Sequence, residues 1–248
     1  MKKLSILLIL SLVALLTGCT PVDSLNPLYT DKDVVFDPAL LGQWGSDTEG
    51  YNFAKGEDGA YQITISSKDD KTGQIVSLVY EAHLVELQSH RFLDVVAKQW
   101  TPSPQSVPLD LERSSTGMQV RPGLANIGFG AYVEITSGES NANGDHFKLQ
   151  TRTAHNFYKV LLENQGQTLR LVELDSSWVE RQIERGSLSI DHQMAGSDHS
   201  CVVLTANTRD LQQLVVNHLD DEEAFNGTTT LDRPGLPAPS VPGVRYPQ

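Results

Sequence analysis

The stretch Val76-Ser77-Leu78-Val79-Tyr80-Glu81-Ala82-His83-Leu84 decides the fold class of this chain. Apolar side chains occupy every second position from Val76 to Leu84, and the polar residues Ser77, Glu81 and His83 fall on the other phase. A period of two is typical of a β-strand with one face buried and one face in solvent. The stretch therefore predicts a long, half-buried strand.

The segments on both sides of this strand continue the pattern. Residues 61–65 alternate in the same way, and the polar turn Lys68–Gly73 separates them from the long strand. A loop at Gln88–His90 leads into another apolar segment at 92–96. Consecutive strands joined by short polar turns predict an antiparallel meander. Strand patterns recur further along, weakly in the first two of these ranges: 117–121, 129–136, 147–151, 157–162 and 168–174.

Two short helices are predicted in the C-terminal third. Ser177-Trp178-Val179-Glu180 fits a capping box, and Gly186 would end that helix. A second helix begins near Asn207 or Thr208, with apolar residues at helical spacing from Leu211. We therefore expect a mainly β or α+β fold, an antiparallel meander that forms a barrel or a sandwich.

The N-terminus has the layout of a signal peptide. Lys2-Lys3 precede an apolar run from Leu4 to Leu16, which is shorter than the roughly 20 residues of a membrane-spanning helix. The run ends in Leu16-Thr17-Gly18-Cys19, which resembles the lipobox of bacterial lipoproteins. The resemblance implies cleavage before Cys19, acylation of its thiol and a stable lipid anchor, since two or more acyl chains hold a protein at a membrane.

The same resemblance predicts the location and the domain boundaries. Residue 20 is Thr, whereas Asp after the lipidated Cys resembles a signal for inner-membrane retention, so an outer membrane is favoured in a host that has one. We expect a signal peptide at 1–18, the lipidated Cys19 with a tether to residue 38, one β-rich domain at 39–231 and a disordered Pro-rich tail at 232–248.

The net charge limits the kinds of partner that the chain can bind, and the cysteine content limits its disulfides. The chain has 19 Lys and Arg against 31 Asp and Glu, and cleavage would also remove Lys2 and Lys3. Such an acidic protein is repelled by phosphate backbones, so nucleic acid is excluded as an expected partner. With Cys19 acylated, Cys201 has no cysteine left to pair with, and its apolar run Cys201–Leu204 predicts a buried strand with an inert thiol.

Two further resemblances concern the domain itself. Gly42-Gln43-Trp44 resembles the G-x-W of the first lipocalin strand, which implies an eight-stranded barrel and an Arg packed on Trp44. Arg170 and Arg209 are the candidates for that Arg. Asn26–Trp44 and Leu204–Gln212 resemble segments of bacterial envelope lipoproteins with no assigned activity.

Enzyme and metal motifs are missing from the sequence. It has no nucleophile elbow, P-loop, H-E-x-x-H or dinucleotide-binding motif, so no catalytic or cofactor-binding residue is assigned. His192, Asp198, His199 and Cys201 have metal-binding side chains but lack the tight spacing of zinc ligands, and no metal site is predicted. An enzyme of unfamiliar type would need His155 or His192 to meet a carboxylate in a cleft.

The resulting hypothesis is an envelope lipoprotein, anchored to the membrane through lipid on Cys19, that acts through contacts with another envelope protein and catalyses no reaction. The alternative is a lipocalin-like carrier of a small apolar ligand. The two differ in where binding occurs, since a carrier needs an enclosed cavity.

Overall fold

The computed structural model describes residues 21–46, 49–68, 72–98, 111–114, 117–120, 123–128, 131–141, 144–195 and 201–235, with the backbone alone across 111–151. Most of these residues belong to one large mixed sheet, and two helices pack beside it. The mainly β, α+β prediction is confirmed. Of the two predicted architectures, the structure shows the sandwich-like one, because the described sheet does not close into a barrel.

The helices are α1 (Ser176–Glu184) and α2 (Thr208–Asn217). The strands in chain order are β1 (Asp23–Ser24), β2 (Val34–Val35), β3 (Gly42–Gly45), β4 (Gly50–Lys55), β5 (Tyr61–Lys68), β6 (Ile75–Leu87), β7 (His90–Ala97), β8 (Leu111–Ser114), β9 (Gly117–Val120), β10 (Gly123–Gly128), β11 (Ala131–Asn141), β12 (Gly144–Thr153), β13 (His155–Glu163), β14 (Thr168–Leu174), β15 (His192–Ala195), β16 (Cys201–Leu204) and β17 (Phe225–Asp232). No described helix is both long and apolar enough to cross a membrane.

The strand order shows the predicted meander and two pairings that the sequence did not indicate. Along the sheet the order is β12-β11-β10-β15-β16-β1-β13-β7-β6-β5-β4-β3, with β14 beside β13 and β17 beside β14. Strands β3 to β7 pair antiparallel with their neighbours in sequence, as the meander requires. In contrast, β1 pairs parallel with β16, and β10 pairs parallel with β15. These parallel pairs join distant parts of the chain.

Two apolar clusters lie on opposite faces of the sheet. In β13, Tyr158 and Val160 belong to one cluster, and Phe157 and Leu161 belong to the other, as the alternation of side chains along a strand requires. We call the first cluster the inner core, which also contains Trp44. The second, the helix-side core, includes residues of both helices. The fully or nearly buried members of the inner core are Leu40, Trp44, Phe53, Tyr61, Ile63, Ala82, Leu84, Leu93, Val95, Val160, Leu169 and Leu171.

The two predicted helices are confirmed, with one correction. Helix α1 is capped by Asp175, whose carboxylate accepts a hydrogen bond from the Trp178 amide at 2.8 Å, so the predicted cap at Ser177 is wrong. Asp175 directly precedes the first helical residue, Ser176, whereas Ser177 already lies inside the helix and cannot cap it. Helix α2 begins after Asn207, as predicted, and its buried face carries Leu211.

The segment 21–38 is part of the folded domain, so the predicted tether over 19–38 is wrong for its described residues. Val22 and Leu28 are fully buried in the helix-side core, and Leu25 is 7% exposed. Strand β1 lies between β13 and β16, and β2 pairs with β6. The prolines of this segment suggested a spacer, but its apolar residues fill the core. The predicted signal peptide at 1–18 and Cys19 lie outside the described residues.

Two further boundaries differ from the prediction. The strand at Cys201–Leu204 is confirmed, but only Val202 to Leu204 are buried; Cys201 is exposed at the strand's first position. The predicted burial of the Cys201 thiol is therefore wrong. At the C-terminus, Asp232 belongs to β17, and Arg233 contacts β3. The domain thus extends past residue 231, and the rest of the predicted tail from 236 lies outside the described residues.

A buried carboxylate fastens the N-terminal segment to the sheet. Asp94 on β7 is 1% exposed, and its Oδ2 accepts a hydrogen bond from the Leu28 amide at 2.7 Å. Its Oδ1 lies 2.6 Å from Nδ1 of His155 on β13. Both carboxylate oxygens are therefore used within the fold. Asn26 adds a link to the β16–α2 connection by donating to the carbonyls of Thr205 and Ala206.

We predict that Asp94→Ala lowers the free energy of unfolding by about 3 kcal/mol, because it leaves the Leu28 amide and His155 without their partner. Chemical denaturation monitored by circular dichroism measures this difference. The exposed turn residue Glu57 supplies the control, since Glu57→Ala should change stability by no more than about 0.5 kcal/mol. An Asp94→Ala protein as stable as the control would show that the carboxylate does not hold this junction.

Candidate functional site

One end of the meander, at β3, lies beside β17 along an open seam. Strand β3, the last strand of the sheet order, lies beside β17, and a Cβ atom built on Gly45 would come within 3.2 Å of Leu231 Cδ2. Within the described residues, however, β17 pairs only with β14, and β3 pairs only with β4. The two strands therefore touch without sharing a hydrogen-bonded ladder. This seam is where the sheet stays open.

Arg233 replaces the missing ladder at one end of the seam. Its guanidinium carbon lies 3.7 Å from the ring centroid of Trp44, which is fully buried. The guanidinium also donates to the carbonyls of Ala39 at 2.6 Å and Leu41 at 2.7 Å. Burial lowers the pKa of this guanidinium, yet an arginine stays charged in proteins, so the contact keeps its cation–π character.

This arginine is the one that sequence reasoning missed. The lipocalin resemblance implied an Arg on Trp44, and it named Arg170 and Arg209 as candidates. The structure contradicts both: Arg170 pairs with Glu163 at 3.0 Å, and Arg209 is exposed on α2. Arg233 was placed in the Pro-rich tail because Pro234 follows it. The available signal was its position two residues after the apolar Leu231, at the end of a strand rich in threonine.

Next to Arg233, the seam widens into an open cleft of about 830 Å³. Small residues of the β3–β4 turn and β5, such as Gly50 and Ser66, form one wall. Thr230 and Arg233 form the facing wall, and Ile65 and Leu231 supply apolar surface. Drug-sized ligand pockets have volumes of roughly 300 to 1,000 Å³. The cleft therefore has the size of a binding site, and it opens along the unpaired edge of β17.

Tyr51 connects the cleft to a group of polar side chains in the inner core. It lines the cleft, forms a hydrogen bond with Thr229, and packs with Tyr80 and Tyr158 in the same cluster. Burial raises the pKa of all three phenols, and the Glu173 carboxylate raises those of Tyr51 and Tyr158 further. The phenols are therefore neutral at physiological pH and can donate hydrogen bonds.

Glu173 is the acidic member of this group. Leu169 and Leu171 of β14 lie in the inner core, and alternation along the strand puts Glu173 on the same face. Burial raises the pKa of its carboxyl, and the nearby Asp175 charge raises it further. Gly227 leaves room for it, because a Cβ atom there would come within 3.0 Å of Oε2. Shifted pKa values are common at functional sites, but Glu173 itself is not among the residues that line the cleft.

The other candidate residues do not assemble into a site. His155 does meet the carboxylate of Asp94, but both oxygens of Asp94 are used within the fold and neither residue lines the cleft. His192 and Cys201 lie at opposite ends of the β15–β16 ladder, about 10 Å apart along the strands. Asp198 and His199 lie outside the described residues, and the described part of the chain holds no group of three metal-binding side chains.

Comparison with known proteins identifies no relative. No family model, no curated protein and no solved structure matches the chain.

We predict that Arg233→Ala lowers the free energy of unfolding by about 2 kcal/mol, since it removes charged hydrogen bonds to three carbonyls and the contact with Trp44. Near-ultraviolet circular dichroism should report the altered Trp44 environment together with the stability loss. Arg209→Ala removes a positive charge from an exposed helical position and should leave both measurements unchanged. Equal effects of the two substitutions would contradict a role for Arg233 in closing the seam.

Glu173 should make stability depend on pH in a defined direction. Because its pKa is raised in the folded protein, the folded state binds the proton more tightly than the unfolded chain, and stability falls as pH rises through this range. Glu173→Gln removes that dependence, so its free energy of unfolding should exceed that of the natural protein increasingly from acid to neutral pH. Denaturation at several pH values tests this, with the exposed Glu57→Gln as the control. A difference in the free energy of unfolding between Glu173→Gln and the natural protein that shrinks towards neutral pH would contradict this prediction.

Proposed function

We propose that the chain is a lipid-anchored envelope protein that catalyses no reaction and binds an extended segment of a partner protein at the β3–β17 seam. The observation that carries the proposal is the edge of β17. From Gly227 to Thr230, β17 pairs with β14 on one edge, and its other edge has no paired strand within the described residues. The cleft opens beside that other edge. Unpaired edges of this kind accept an added strand from a partner chain.

The chemistry of the cleft suits a main-chain ligand. Its walls include Ser66, whose small side chain leaves room for another backbone. Gly45 and Gly50 also line it, and a Cβ atom on either would clash with carbonyl oxygens of β3 or the β3–β4 turn. The neutral hydroxyl of Tyr51, which lines the cleft, supplies a polar group there. A strand bound there would pair with β17 and place alternate side chains toward Ile65 and Leu231.

The anchor half of the proposal rests on Leu16-Thr17-Gly18-Cys19. Acylation of Cys19 would hold the domain at a membrane, with the outer membrane favoured because Thr20 follows the cysteine. A partner in the envelope would then be met at high local concentration.

A second candidate, a carrier of a small apolar ligand, is favoured by the volume of the same cleft. The inner core is filled by side chains, so such a ligand would sit at the rim, beside Tyr51 and Leu231, and would stay in contact with solvent. The two candidates differ in the mass of what is bound.

Native mass spectrometry of the protein, extracted in mild detergent from its own membrane, tests these alternatives. We expect the mass of the chain from Cys19 with acyl groups, plus the mass of a protein partner. Thr230→Trp should remove that partner by filling the cleft, whereas Gln62→Trp, at an exposed position of β5 outside the cleft, should retain it. Cys19→Ala should leave an uncleaved precursor without acyl mass.

Each contrary result is informative. A small bound mass that Thr230→Trp removes would favour the carrier. A bare acylated chain would contradict binding at the seam, and normal processing of Cys19→Ala would contradict the anchor.

A further inference from the structure

The proposed anchor lies very close to the folded domain. Pro21 forms a backbone bridge with Asp175, and the Val22 amide donates to the Leu174 carbonyl at 3.0 Å. Cys19 is two residues before Pro21, and two residues of extended chain span at most roughly 7 Å. Acyl chains on Cys19 would therefore hold the end of β14 at Leu174 next to the membrane surface.

The β5–β6 hairpin projects from that same end of the sheet. Strand registers carry the alignment from the end of β14 across β13 and β7 to β6, whose residues Ile75 to Val79 extend past its pairing with β7. The Cα pairs that define this alignment are Glu173–Tyr158, Val96–His155 and Ala97–Tyr80. The opposite end of β5, at Tyr61, follows the β4–β5 turn that contains Glu57.

Exposed apolar side chains concentrate on this hairpin. Ile75, Val76 and Leu78 are 52%, 48% and 40% exposed, and they make up three of the four exposed large apolar side chains among the residues whose side chains the structure describes. The fourth, Phe36, stacks on Tyr61. Val76 and Leu78 lie on one face of β6, and Ile75 lies on the other. A protein surface would cover one of these faces, whereas lipid surrounds both.

We propose that this end of the sheet rests on the membrane and that Ile75, Val76 and Leu78 contact lipid as a second attachment beside Cys19. The inference rests on the proposed acylation of Cys19. Attachment by two elements fixes the orientation of the domain, since a single acylated residue leaves it free to rotate.

The contact is apolar in origin. The acidic run Asp220–Glu223 lies at the same end, because the Asp175 amide donates to the carbonyl of the adjoining Ala224 at 2.9 Å. These carboxylates are repelled by anionic lipids. Contact should therefore be at least as strong with zwitterionic phosphatidylcholine as with anionic lipid, and insensitive to salt.

The test uses the acylated full chain in phosphatidylcholine vesicles that contain nitroxide-labelled lipid. In a Cys201→Ser background, one fluorophore is attached through Val76→Cys, and in a matched protein through Glu57→Cys at the opposite end of β5. Lipid nitroxides quench only fluorophores near the bilayer. We expect loss of fluorescence at Val76→Cys and none at Glu57→Cys, both unchanged in high salt.

The outcomes separate this inference from the anchor. Acyl mass on vesicle-bound protein without quenching at Val76→Cys would overturn the lipid contact and leave the anchor in place. Equal quenching at both labels would overturn the fixed orientation. If the fluorophore at Val76→Cys is instead shielded from water only at high protein density on the vesicles, without quenching by lipid nitroxides, the hairpin contacts a second copy of the chain. That result would also overturn the inference. Protein that lacks acyl mass and stays off the vesicles would contradict the anchor itself.

Discussion

The carboxylate of Asp94 fastens the N-terminal segment to two neighbouring strands of the sheet, β7 and β13. It accepts the Leu28 amide on one oxygen and lies beside His155 on the other, in a position that is 1% exposed. A buried charge with one partner removed costs several kcal/mol, so the N-terminal segment must take its observed path for the sheet to be stable. That path buries Val22 and Leu28, each worth about 1.5 to 3 kcal/mol.

The same segment explains why the sheet is mixed. Once β1 lies beside β13, its other edge is available, and β16 fills it in the parallel sense. The connection from β16 into α2 is then fastened by Asn26, and Thr208 donates to the Pro27 carbonyl at 2.9 Å. Helix α2 is thereby set against the helix-side core. The inner core, by contrast, is built by the meander together with β13 and β14, and Arg233 holds its open side.

Periodicity predicted the parts of the fold in which one long segment faces one core. Alternation over 61–65 and 76–84 placed β5 and β6, and helical spacing placed α2. It could not predict β1, because two residues carry no period, and the prolines around it indicated a spacer. It also missed β17, where Gly227 and three threonines blur the alternation, and with it Arg233. The sequence pattern could not predict the cleft, because its walls come from segments nearly 190 residues apart.

At the exposed end of β6, the alternating apolar pattern continues beyond the point where burial stops. Val76 and Leu78 continue the phase of Leu84, so the sequence predicted burial along the whole strand, yet burial begins only at Ala82. Apolar residues that keep the phase of a core beyond its edge gain from a second apolar environment, and the proposed acylation of Cys19 would bring a bilayer to that edge. The cleft wall at Ile65 and Ser66 lies on β5, directly opposite Leu78 and Ser77 of the same hairpin. A partner that enters the seam would therefore meet this protein at the membrane surface, which favours a partner that is itself held in the envelope.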